Sequence, residues 1–150
     1  MNTFAASFAS ASAAVALTLA SPALADTVTF PGYLHGSESV TFTVPNQSTP
    51  GTTSSTVSAG GFSTVVNGAT FETYCVDLYQ TIAFNTPYAD YVNVGGGHAF
   101  ANSHAYGDLG RLYGLAGPIL DAVHEAAFQM AVWEIAYETG ASYNLGSGVA

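Results

Sequence analysis

One stretch near the C-terminus constrains this chain more than any other: Ala126-Ala127-Phe128-Gln129-Met130-Ala131-Val132-Trp133-Glu134-Ile135-Ala136-Tyr137-Glu138. At about 100° per residue, Val123, Ala126, Met130, Trp133 and Tyr137 fall on one apolar stripe of a helix, and Phe128, Val132, Ile135 and Ala136 on a second. Glu134 and Glu138 mark the strip expected to face solvent. Gln129 lies between the two apolar faces, so a neutral amide is pushed into the interior, where it needs a hydrogen-bonding partner. The rest of the chain has to supply that partner.

Residues 1–25 read as an export signal. Ala14 to Ala20 is a short apolar run, too short to span a bilayer, and Ala23-Leu24-Ala25 before Asp26 is an A-x-A cleavage pattern. The start, Met1-Asn2-Thr3-Phe4, departs from the usual signal in carrying no Lys or Arg. Removing 25 residues from 150 leaves 125, enough for one domain with a real core, residues 26–150.

Charge narrows the function. Arg111 is the single basic side chain against ten acidic ones, for a net charge of -9. No Lys/Arg patch exists to displace counterions from a phosphate backbone, which excludes nucleic acid as a partner, and an anionic lipid surface is equally disfavoured. Membrane insertion of the mature chain is not expected. Cysteine usage is more informative, because exported chains normally hold cysteines in pairs and here Cys75 stands alone. Its options are a buried inert thiol, an intermolecular disulfide, a catalytic nucleophile, or a bond to a non-cysteine group.

Taken in order, Thr27 to Phe30 and Val40 to Val44 alternate as strands, stopped by Pro31-Gly32 and Pro45-Asn46. Residues 46–61 are rich in Ser, Thr and Gly and read as a long loop or weak edge strand. Phe62 to Val66 and Ala69 to Leu78 flank Asn67-Gly68, a hairpin turn that pairs Val66 with Ala69 and Thr64 with Phe71. Continuing that ladder places Cys75 in mid-strand opposite Gly60, on a central strand with material packed over the sulfur. Tyr79 to Val94 predicts another strand, Asp108 to Leu115 a short helix, and Pro118 the first turn of the long helix, with Asp121 and Glu125 near its N-terminus and Gly140 as its stop. A last strand begins at Tyr143. Strands first and helices later make an α+β domain, mostly β barrel or sandwich, with one long C-terminal helix packed on the sheet.

Cys75 and Gln129 invite two accounts. In one, a small buried thiol and a core amide simply pack. In the other, the Cys75 sulfur attacks the Gln129 side-chain carbonyl and ammonia leaves, giving an internal thioester. That product survives only if the fold holds both groups at near-attack distance and keeps water out. Glu125, one turn before Gln129 on the same side, is a candidate base if burial raises its pKa. His124 is about 140° away on the helix and poorly placed. His98 and His104 would serve only if their loop folded over Cys75.

Tyr74-Cys75-Val76-Asp77 followed by Phe128-Gln129-Met130-Ala131-Val132-Trp133-Glu134 resembles the paired Cys and Gln-x-Ala-Ile/Val-Trp motifs of bacterial surface thioester domains. The resemblance implies a Cys75–Gln129 cross-link that captures amines on a surface or matrix partner, with Trp133 packed beside the bond, and it implies adhesion at the cell surface without enzyme turnover or cofactor. The wider run from Gly60 to Glu138 is also similar to exported Gram-negative proteins bearing a C-terminal Pro-Glu-Pro sorting signal. Such proteins usually continue past the Tyr143 to Gly148 region into more strands, that motif, an apolar segment and a basic tail, so a missing closing strand is expected here and anchoring is unsupported.

Two other classes compete. A non-reactive, exported, matrix-associated β-rich domain would use the same residues only for packing. A cysteine hydrolase would need a Cys75 thiolate, a nearby His and an oxyanion hole, and a mid-strand cysteine argues against it. No zinc-ligand spacing and no phosphate-cradling glycine loop is present, so no metal is expected.

Overall fold

A computed structural model describes residues 26–45, 49–92, 100, 102–138 and 142–143. The export segment, His98, Gly140 and the last strand beyond Tyr143 lie outside the described residues. Among the described residues, six strands precede two helices: β1 (Asp26–Tyr33), β2 (Glu38–Pro45), β3 (Thr52–Ala59), β4 (Phe62–Val66), β5 (Ala69–Thr73), β6 (Tyr88–Tyr91), α1 (Ala105–Leu115) and α2 (Ala122–Tyr137). The strands form an antiparallel four-stranded sheet in the order β5-β4-β1-β6 and a β2–β3 ribbon. This is the expected α+β, mostly sheet architecture.

The Asn67-Gly68 hairpin forms in the expected register, Val66 opposite Ala69 and Thr64 opposite Phe71. Its two turn residues adopt φ of 50° and 87°, the left-handed pair of a type I′ turn that suits Asn-Gly. The ladder ends at Phe62 opposite Thr73, two residues short of Cys75. Cys75 is therefore not in mid-strand, and Gly60 does not face it; Gly60 packs against the Gly36 carbonyl instead. Strand β5 is an edge, not a central strand, with Phe71 half exposed. The Ser/Thr-rich stretch pairs residue for residue with β2 from Thr52 to Ala59, helped by Thr41–Thr56 and Thr43–Ser54 hydroxyl bonds across the ribbon. Hydrogen bonds between polar side chains stabilise an exposed ribbon that hydropathy alone does not reveal. In 79–94 only Tyr88–Tyr91 is a described strand.

Helix α2 starts later than Pro118 suggests. Asp121 caps it, its side chain accepting the His124 N–H at 2.9 Å. The helix is buried almost all round in its second half, and Glu134, expected at the solvent, is 2% exposed while Val123 is 62% exposed. The solvent-facing residues fall at the N-terminal turns because α1, the ribbon and residues 74–78 enclose the rest. Among the described residues no helix is long and apolar enough to cross a membrane.

Two apolar clusters make the core. Val28, Phe30 and Phe62 line the sheet, and Ala59, Ala126 and Trp133 join the ribbon to α2. Cys75 packs against both clusters. Replacing Gly68 by Ala, with open space around it, forces an L side chain into the left-handed region; we expect a loss of about 1–2 kcal/mol in a denaturant melt, from backbone conformation alone.

Candidate functional site

The site is a row of helix side chains docked on an irregular segment. Glu125, Gln129, Trp133 and Tyr137 stand four residues apart along α2 and so share one ridge. Residues 74–78 leave the sheet after β5, and their main chain meets this ridge in place of a neighbouring strand.

Gln129 makes the central contact. Its Oε1 accepts the Cys75 N–H at 2.9 Å, and its Nε2 donates to the Cys75 carbonyl at 2.7 Å. The amide is 1% exposed, and these bonds give both of its ends a partner in the interior. One turn on, the Tyr137 hydroxyl accepts the Leu78 N–H at 3.2 Å and donates to Asp77 Oδ1 at 3.3 Å. One turn earlier, the fully buried Glu125 accepts the Gly61 N–H at 3.1 Å and the Tyr74 hydroxyl at 2.7 Å.

The Cys75 thiol donates to the Asp77 carbonyl at 3.2 Å. Burial pushes its pKa up, a main-chain hydrogen bond at Asp77 lowers it in part, the Asp77 charge raises it further, and the nearby Trp133 N–H gives a smaller lowering. That indole N–H is buried and has no hydrogen-bond partner among the described residues; it lies close enough to the sulfur to act on it without the alignment of a hydrogen bond. Cys75 and Trp133 also line an aromatic cleft of about 260 Å³, and Cys75 lines a second, of about 280 Å³, on the sheet side.

Fold and site expectations therefore part at several residues. Cys75, Gln129, Trp133 and Glu125 do come together. Glu125, however, is committed to Gly61, Tyr74 and His35 Nδ1 at 2.7 Å, and it positions Tyr74 beside Cys75 rather than reaching the amide as a base. His124 is bound to Asp121 at the exposed start of α2, and His104 stands at the N-cap position of α1 without a side-chain capping bond; no hydrogen bond joins either to Cys75. His35 was not foreseen, because its link to Glu125 joins residues 90 apart in the chain. Nor was Gly61, although a Cβ there would collide with Glu125 Oε2. No group of three His, Cys, Asp or Glu side chains converges among the described residues.

The burial of Tyr74, followed by its contacts with Glu72 and Glu125, holds its phenol far above the ordinary 10.0. Tyr74 and Cys75 thus keep their protons longer folded than unfolded. Their contribution to stability is complete below about pH 9 and is lost as pH rises through and beyond 10. Denaturation midpoints measured from pH 7 to 11 should fall on the alkaline side, with a shallower fall in Tyr74→Phe. Glu125→Ala strands the buried Gly61 N–H, while the Tyr74 hydroxyl keeps Glu72 as an acceptor, and should cost about 1–3 kcal/mol by the same melts. Comparison with protein-family models, curated proteins and solved structures returned no match, and the site is read from its own residues.

Proposed function

We propose that this chain is an exported surface domain in which Cys75 and Gln129 form an internal thioester that couples once to an amine on a partner. The observation that carries the proposal is the docking of the Gln129 amide on the main chain of Cys75 itself, across 54 residues of sequence. In forming the bond, the sulfur adds to Gln129 Cδ, the Cδ–Nε2 bond breaks, and the thiol proton leaves with the nitrogen as ammonia. The Cys75 N–H, at 2.9 Å from Oε1, is placed to stabilise the oxygen as it gains charge. The sulfur now donates to the Asp77 carbonyl, and the reaction requires it to give up that contact and turn to the amide. Trp133 supports the reading with a buried, unsatisfied N–H beside the sulfur. The resemblance of both motifs to surface thioester domains points the same way.

A second reading has its own support. The same two bonds give both ends of the amide a partner, as a merely structural glutamine in a β-rich matrix domain would require. Hydrolase chemistry is less well supported, since burial raises the thiol pKa and, among the described residues, the thiol's hydrogen bond goes to the Asp77 carbonyl and not to a histidine.

Intact mass separates the first two readings. The thioester form is lighter by one ammonia and unreactive to thiol reagents, and methylamine adds to it but not to Cys75→Ala or Gln129→Ala. A full-mass protein with a titratable thiol supports the packing reading instead.

A further inference from the structure

The cleft against Cys75 is built from two aromatic walls. Tyr33, Phe62 and Phe84 form one: Tyr33 stacks on Phe62 at 5.2 Å between centroids, and Phe84 meets Tyr33 edge-on at 5.1 Å. Phe42 and Trp133, 5.8 Å apart, form the other, carried by the ribbon and α2. Among the described residues, Asp77 is the only acidic residue lining the cleft, and no Lys or Arg lines it. The chain's single basic residue, Arg111, is paired with Asp108 on α1. At about 260 Å³ the space lies just under the usual range for drug-sized ligands, about 300–1,000 Å³, so it suits one ring and a short arm rather than a peptide.

We propose that this cleft binds primary ammonium compounds bearing a flat apolar ring on a short alkyl arm. Aromatic faces attract both the ring and the cation, Asp77 complements the ammonium, and the net charge of -9 raises the local cation concentration. The buried Trp133 N–H on the wall is an unused donor in the same space. The reactive consequence rests on the thioester reading, whereas the binding does not. With the thioester present, the deprotonated amine nitrogen bonds to Gln129 Cδ, the Cδ–Sγ bond breaks, and the proton shed by nitrogen restores the Cys75 thiol.

Trp133 is the only tryptophan, so its emission reports occupancy of the cleft. In full-chain Cys75→Ser, which has no thioester, phenethylammonium should change that emission saturably. It should bind roughly tenfold more tightly than methylammonium or neutral 2-phenylethanol. Phe84→Ala, at a 39% exposed position on the cleft wall, should weaken it severalfold. Equal responses to phenethylammonium and methylammonium overturn the proposal, and tighter binding of N-acetyl-lysine amide reassigns the cleft to a protein side chain and overturns it too. In wild type, faster adduct formation with phenethylamine than with methylamine supports the cleft, and equal rates sink it while leaving the thioester standing. A full-mass wild type that still binds phenethylammonium removes the thioester and keeps the cleft.

Discussion

The structure depends on a side chain doing the work of a strand. After Thr73 the edge of the sheet ends, and the main chain of Cys75 has no strand to pair with on the α2 side. Left buried without partners, its N–H and C=O would each cost on the order of 1–3 kcal/mol. The Gln129 amide presents an acceptor and a donor with the spacing of a peptide group and satisfies both. That exchange lets the chain leave the sheet, cross beneath α2 and join the two apolar clusters through Cys75.

The i, i+4 ridge of α2 extends the same logic over five residues of the segment. Glu125 anchors Tyr74, Gln129 anchors Cys75, Trp133 packs by the sulfur, and Tyr137 anchors Asp77 and Leu78. A fully buried carboxylate is tolerable because three donors converge on it, one from Gly61, where any side chain would occupy the space the carboxylate needs. Tyr74 is further fixed by Phe128, 4.5 Å away between ring centroids. The sulfur is thus held by its neighbours' hydrogen bonds more than by its own, an arrangement that sets geometry without activating the thiol.

Much of this was legible in the residues. The apolar periodicity of 126–138 required a buried helix, the amide within it required a polar partner, and Asn67-Gly68 set the hairpin and its register, because each is a local rule of side-chain spacing or backbone conformation. The solitary cysteine was the remaining candidate with unexplained chemistry. Strand β2 was legible from Val40 to Val44, but the full eight-residue pairing of β2 with β3 was not, since hydroxyl pairs across strands leave no hydropathy signal.

Tertiary structure alone decided where β5 stops, which face of α2 meets solvent, and what Glu125 does. Glu134 is buried and Val123 exposed because enclosure by α1, the ribbon and residues 74–78 outweighs the local pattern. His35, Gly61 and Tyr74 reach Glu125 from three separate parts of the chain, and no spacing rule connects them. The sequence by itself determined that Gln129 must be buried and partnered, because an amide amid apolar helix positions has no other stable place. That the partner is the main chain of Cys75, with the thiol beside it, follows only from the way residues 74–78 pass under the helix.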